Sequence, residues 1–506
     1  MNFIRLLLAL AAGSAIVMAD RPNPLTITSS IPGQFQLTWL ADNLRPYQME
    51  NSPDLNVWTD LGDVVVGTGS TQGMLVTSTE PKYFYRLREG AMRPGFDDIA
   101  MARGDDTSYP GSVPIGFTVN YYGESFSNCY VNNNGNITFD GPLGLYTPVP
   151  IGGIKKKIIA PFWADVDTEG AASDVVRFSD NSVSVTTLND RPAFGVSYRN
   201  LGYFYQRTDK LNSFQVILID RSDIATGDFD IEFNYNCIQW ESGVASGGVN
   251  GIGGSSARSG GSNTDGSYFE YKGSGQSLAF LDTNPATDQP NYLNGLIYQS
   301  YNSSCPGRIV LPIRNGRLAD GISANAGADL NLSESAGATF QLQGSIDPTN
   351  SSGVSHSWTQ VSGPGQAQFS DIFSLTPDVT IPEPGEYEFI LTATKEGGDF
   401  LITDIDTVIV VHPAVYEIYS GFYELHSPAP LSLTLDQEVA TAPTGVSFLF
   451  HWTQSEGQPA TIADPTILHP TVTLPGPGSY RFQMTATTNH SSPFVYTTDT
   501  YVEYYE

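Results

Sequence analysis

Asp165 and Asp167 come closest to a chemical device in this 506-residue chain. They follow the apolar run Ile158 to Trp163 as D-x-D, which puts both carboxylates on one side of a strand or loop. Such a pair can shape a turn, give two oxygens to a hard cation, or divide the acid and base roles of glycoside hydrolysis. The spacing does not separate an acid from a base, so catalysis is the weakest of these readings. Oxygen ligands without clustered His or Cys select calcium or magnesium over zinc, so calcium is the metal expected if one binds. No other cofactor is expected. Asp228 and Asp230, in Gly227-Asp-Phe-Asp, are weighed in the same way.

The remaining reactive residue types argue against an enzyme. All six histidines (His356, His412, His426, His451, His469, His490) lie in the last third of the chain, so no Ser-His or Cys-His pair can form near Asp165 from within its own region. The three cysteines, Cys129, Cys237 and Cys305, show no CxxC or Cys/His spacing, and three pairings are open, each leaving one thiol over. Cys129 opens a strand in apolar surroundings, where a thiol stays protonated. The glycines from Gly247 to Gly254 have no P-loop lysine and no helix pattern after them, so they read as a hairpin or wide loop.

The elements that must position these residues are strands. Tyr130 to Gly141 reads as strand, turn and strand: Asn132 to Asn134 are turn formers, Gly135 can take positive φ, and Ile137 and Phe139 alternate with polar residues as in a half-buried strand. Gly, Ser, Thr, Asn, Val, Phe and Tyr abound and long helix-period stretches are missing after the N-terminus. The fold class is therefore all-β and multidomain, built of β-sandwich modules, with no helix beyond about three turns. Arg5, the apolar Leu6 to Val17 and the small residues of Val17-Met18-Ala19 have the layout of a secretory signal peptide over 1–19, cleaved before Asp20. No other segment reaches the length of a transmembrane helix, and the chain ends without a sorting tail. The formal net charge is −29, and from Leu318 onward 22 acidic residues face two basic ones, Lys395 and Arg481. Nucleic acid is excluded as a partner, because phosphate binding needs clustered Lys and Arg.

Four segments in order carry a resemblance. YVNNNGNITFDG with KKKIIAPFWADVDT, Asn212 to Leu218 (NSFQVIL), Asp230 to Gly243 (DIEFNYNCIQWESG) and Cys305 to Val310 (CPGRIV) together resemble the NIDO domain, the extracellular module named after nidogen, with Gly251 to Gly254 matching its glycine-rich turn. The likeness covers about 220 residues, a suitable size for one large β domain. The chain departs from the family at Ile309, where a Trp is common, and at Lys155 to Lys157. Because cysteine-bearing members resemble the segments around Cys237 and Cys305, the resemblance implies a Cys237–Cys305 bridge with Cys129 reduced.

The flanking regions resemble other secreted modules. Residues 20–90, with alternating Phe35, Leu37 and Trp39 and the ending Tyr83-Phe-Tyr-Arg-Leu, resemble a fibronectin-III-like β domain common in secreted bacterial proteins. Ala91 to Phe96 reads as a linker, 93–316 as the NIDO-like domain and Ile313 to Asp320 as a second linker. Residues 320–412 and 414–506 repeat one another: Trp358 and Trp452 are 94 residues apart, Tyr387 and Tyr480 are 93 apart, and both copies read P-x-V-T, a turn, then T-A-T. The first copy, with Asn325-Ala-Gly-Ala-Asp329, resembles the PKD family of Ig-like sandwiches; the second lacks that start. Trp358 and Trp452 fall where such sandwiches place a core Trp.

These resemblances imply a secreted, extracellular, non-enzymatic adhesion or matrix-type scaffold acting through extended surfaces. Its expected partners are extracellular-matrix or cell-surface proteins or glycans. With no EGF repeats and few cysteines the chain is more similar to secreted proteins of environmental bacteria than to animal matrix proteins. The alternative is a carbohydrate-binding accessory protein, marked by exposed aromatics in a row; the third reading is a carboxylate-based hydrolase.

Overall fold

The computed structural model describes residues 4–10, 15–17, 25–31, 34–55, 58–77, 82–332, 339–349, 352–412, 421–427, 430–438, 447–489 and 495–505. The expected cleavage site before Asp20, the expected boundary at Pro413 and His490 lie outside them. Among the described residues the only helices are two three-residue 3-10 turns, Ile151–Gly153 and Leu296–Tyr298. Everything else is strand and turn, an all-β multidomain chain. It divides into two compact units: residues 1–322 with 395–403, and residues 323–394 with 404–506.

The first unit holds a small N-terminal sandwich and the large central one. In the small sandwich Gln34–Leu40 pairs with Thr26–Ile31 and Thr71–Thr77, and Lys82–Glu89 pairs with Pro46–Ser52. Leu37, Trp39, Tyr47, Met49, Val76, Tyr85 and Leu87 fill the space between the sheets. Ile4–Leu10, expected as part of a cleaved leader, pairs along Lys82–Glu89 with Leu7 opposite Tyr85. The physical reason is general: an apolar run satisfies its backbone by adding to an open sheet edge.

The central sandwich is two facing sheets. One runs Val113–Tyr121, Glu124–Asn132, Asn136–Thr138, Ile158–Trp163, Arg258–Ser262 and Tyr268–Tyr271. The other runs Arg191–Tyr203, Arg207–Asp220, Phe229–Cys237 and Arg308–Arg314. Buried phenols tie the layers: Tyr198 Oη donates to the Asn132 and Asn136 carbonyls at 2.9 and 3.0 Å, and Tyr235 Oη to the Pro161 carbonyl at 2.7 Å. Phe162 and Phe214 meet across the gap with centroids 5.1 Å apart.

Two sequence expectations are corrected here. Ala91 to Phe96 is not an open linker: Ala91 and Phe96 are buried, Met92 N donates to Asn236 Oδ1 at 2.9 Å and Arg93 N to Gln215 Oε1 at 3.0 Å. Its backbone polar groups find partners on the strand Phe229–Cys237 and its neighbour, so the segment lies down on the sheet. Ile313 to Asp320 likewise forms a tight hairpin, with Ile313 opposite Leu318.

The second unit contains the repeat. Trp358 and Trp452 are each buried, and their backbone N–H groups donate to Ile372 O and Pro465 O. Tyr387 Oη donates to the Glu383 carbonyl and Tyr480 Oη to the Gly476 carbonyl, four residues upstream in each copy. This corner, a phenol clamped to the backbone just before its own strand, is characteristic of Ig-type sandwiches. Each copy also closes with a parallel pair, Leu330 beside Val410 and Gly421–His426 beside Val495–Tyr505.

Candidate functional site

The site grows from the turn Asn132-Asn133-Asn134-Gly135. Gly135 has φ +76°, and a Cβ there would lie 1.8 Å from the Phe162 carbonyl oxygen, so only glycine fits. The strand Asn136–Thr138, expected to be half-buried, is buried on both faces. Its polar face is satisfied internally: Asn132 Nδ2 donates to Asn136 Oδ1 at 2.8 Å and to Thr138 Oγ1 at 3.0 Å. The three asparagines are thus more than turn formers. Asn133 Nδ2 donates to Gly104 O at 3.1 Å and Val166 O at 3.0 Å. Asn134 Nδ2 donates to Asp106 Oδ1 at 2.8 Å, and its Oδ1 accepts Val166 N–H at 3.0 Å. Two distant segments, Gly104 to Asp106 and Asp165 to Asp167, are thereby sewn to one turn.

The result is a carboxylate cluster. One oxygen from each of Asp105, Asp106 and Asp165 falls within 4.8 Å of the others. Asp165 is 1% exposed and neither of its carboxylate oxygens has a hydrogen-bond partner; Asp105 Oδ1 and Asn133 Oδ1 are likewise buried without one. Burial, reinforced by the charges of Asp105, Asp106 and Asp167, pushes Asp165 up to about 7. Burial and the neighbouring Asp106, Asp167 and Glu169 push Asp105 up to about 7, and burial raises Asp106. Gly243 closes one side: a Cβ there would sit 2.2 Å from Asp165 Oδ2.

Asp167, expected beside Asp165 as a ligand, is used differently. Its Oδ1 accepts Glu169 N–H at 2.8 Å and its Oδ2 accepts Gln206 N–H at 2.7 Å. Each oxygen accepts one backbone donor, and the Asp167 backbone bridges to Asp105. The structure groups Asp165 with Asp105 and Asp106, and it places Asp167 beside them. Asp228 and Asp230 are also engaged: Asp228 Oδ1 accepts Asn315 N–H at 2.9 Å, while Asp230 takes Arg221 at 2.8 Å and Arg314 at 2.6 Å. The glycine-rich loop is a narrow turn with Val249 bridged to Ile252.

The cysteines are corrected too. Cys129, Cys237 and Cys305 are all free thiols, so the Cys237–Cys305 bridge is not formed. The two sulfurs sit in different settings: Cys237 beside Asp282 and Arg45, Cys305 against the Pro306 carbonyl with Arg308 and Glu232 near. Burial holds all three thiols above their usual range.

A second concavity of about 900 Å³ lies between the small and central sandwiches, lined by Arg45, Glu50, Arg86, Arg88, Cys237 and Asp282 among others. Three of its arginines pair with its own acids, Arg45 with Glu89 at 3.3 Å and Arg86 and Arg88 with Glu50, while Arg199 lies 3.6 Å from Asp97. Among the described residues no helix is long and apolar enough to cross a membrane.

A two-sheet β domain with its polar network inside, and two sandwiches with tyrosine corners in the second unit, make this a modular all-β chain. Residues 127–310 match the nidogen-like domain and residues 326–410 match a PKD domain, so the chain carries one of each. It is similar to nidogen of Drosophila melanogaster, 34% identical over 122 residues, covering 20% of this chain and 9% of that protein. It is similar to alpha-tectorin of Mus musculus, 27% identical over 231 residues, covering 42% of this chain and 10% of that protein. The chain thus spans about a tenth of the length of these relatives. Among solved structures, Sidekick-1 immunoglobulin domains 1–4 align over 94% of each chain at 11% identity with a TM-score of 0.25. A three-domain immunoglobulin fragment of titin aligns over 36% of this chain and 65% of that one at 8% identity and a TM-score of 0.22. At such scores neither defines a shared arrangement.

Proposed function

We propose that the chain is a secreted, extracellular scaffold of the adhesion or matrix type, with residues 1–19 acting as a leader and no catalytic role. The observation that carries this reading is the nidogen-like domain set among Ig-type sandwiches whose large side chains are spent on cores. Five of the six tryptophans are buried, and the sixth, Trp58, lies under the Arg86 guanidinium at 4.2 Å. Asp165, the carboxylate with the strongest claim to chemistry, is too enclosed for a substrate to reach. The partners that fit are extracellular-matrix or cell-surface proteins or glycans. An array of matrix proteins and glycans probed with the secreted protein tests this; binding to neither class would overturn it.

One observation favours the carbohydrate-binding alternative. On the parallel pair Gly421–His426 and Val495–Tyr505, Phe422 stands beside Tyr501 and His426 beside Tyr505, all four side chains exposed on one sheet face. Aromatic rings in a row present flat apolar faces of the kind sugars stack on. Loss of polysaccharide pull-down in Phe422→Ala with Tyr505→Ala would move this reading ahead.

A further inference from the structure

We infer that Asp105, Asp106 and Asp165 hold a calcium ion inside the central domain. The spacing of the oxygens fits. Calcium binds oxygen at about 2.4 Å, so two of its ligands lie at most about 5 Å apart, and the three carboxylates offer oxygens all within 4.8 Å of one another.

Burial supplies the second argument. An enclosed carboxylate that accepts no hydrogen bond is costly, and native structures satisfy such groups by pairing or by a metal. Asp165 has both oxygens in this condition, and the charges that bear on it are all negative. Asn133 adds a third argument. Its amide nitrogen is fixed by Gly104 O and Val166 O, the neighbours of Asp105 and Asp165 in sequence, which leaves its Oδ1 buried without a donor. An interior that spends asparagines on aligning two acidic segments, then leaves four oxygens there without donors, is built for a cation.

The donor set selects the ion. All donors are hard oxygens, which rules against zinc and copper. Three aspartates on loops of irregular geometry suit calcium, which accepts six to eight ligands flexibly, better than magnesium, which demands a near-ideal octahedron. Two of the ligands lie before residue 127, where the nidogen-like match begins. The site is therefore completed by a segment outside that match.

The test uses the full chain, stripped with EDTA and titrated with calcium chloride. Bound calcium is measured by equilibrium dialysis, and stability by thermal melting. Wild type should take up one calcium per chain, and its central transition should rise by roughly 5–10 °C at a hundredfold excess over Kd. Asp165→Asn should keep the wild-type circular dichroism, melt without metal at or above the metal-free wild type, and bind no calcium. If that variant misfolds, Asp105→Asn with Asp106→Asn replaces it, both sites being partly exposed. A wild type that binds no calcium at millimolar concentration, or a variant that binds as tightly as wild type, overturns the assignment.

Discussion

Asn134 donates its side-chain amide to Asp106 Oδ1 at 2.8 Å while its own side-chain carbonyl accepts the Val166 N–H at 3.0 Å. One buried residue therefore sets the distance between a loop at 104–106 and a strand at 166–167. Asn134→Ala leaves the Val166 N–H without that partner and frees Asp106 to turn outward. The expected loss is about 1–3 kcal/mol, since two hydrogen bonds go, one of them to a carboxylate, while the Val166 N–H keeps the Ala164 carbonyl at 2.9 Å. Chemical denaturation of the central domain measures this, and a loss below about 0.5 kcal/mol would show that the tether is not structural.

Glu232 is 2% exposed and carries a cluster of its own. Arg93 reaches it with Nη2 at 2.9 Å, and Arg308 Nε lies at 3.4 Å. Paired arginines and Asn234 overcome the burial that would raise its carboxyl and hold it below the usual range. Removing one partner from a buried pair costs about 3–5 kcal/mol. Glu232→Ala should therefore destabilise the protein by about that amount, and it should release Ala91 to Phe96 from the sheet. Wild type should resist protease at 91–96, and the variant should be cut there first; early cleavage of wild type at that segment would show that it is a linker after all.

Much of this was legible in the sequence, and the limits have physical causes. Trp358, Trp452, Tyr387 and Tyr480 announced the repeat because Ig-type sandwiches need those side chains at fixed places. Asp165 was legible because it ends an apolar strand. Asp105 and Asp106 were not, because they belong to no motif and meet Asp165 only through about 60 residues of intervening chain. The one signal was an acidic doublet after Gly104. Asn136 and Thr138 misled for a different reason: period-two patterning assumes that the polar residues of a strand face water, whereas here both face Asn132. The tie from Asp167 to the Gln206 N–H was not legible either, because the two lie 39 residues apart and belong to no common motif.

The thiols give a chemical test of the corrected cysteine assignment. Peptide mapping without reduction should find Cys129, Cys237 and Cys305 unpaired. In native protein Cys129, which is fully buried with its thiol held protonated, should be the slowest to react with an alkylating reagent, and in denaturant all three should react. A Cys237–Cys305 peptide would restore the pairing that the nidogen-like resemblance implied.

Asp282 sets the last expectation, a pH dependence. Its Oδ1 is enclosed without a hydrogen-bond partner, while Oδ2 accepts Ile238 N–H at 2.9 Å. Burial pushes its carboxyl up to about 7, against the pull of Arg45, with the Cys237 thiol also at hand. In the unfolded chain an aspartate ionises near 3.9. Between about pH 4 and 7 the folded protein therefore holds a proton that the unfolded chain has released. Stability falls as pH rises through that window, and the penalty is complete above it. The slope from one such group approaches about 1.4 kcal/mol per pH unit where the proton difference is full. Asp282→Asn keeps the shape but removes the titration. Its stability measured from pH 4.5 to 8 should decline less steeply than that of wild type, the two curves separating toward high pH with the variant above. Parallel curves would mean that Asp282 is ionised throughout in the folded state and that Arg45, already paired with Glu89, compensates it as well.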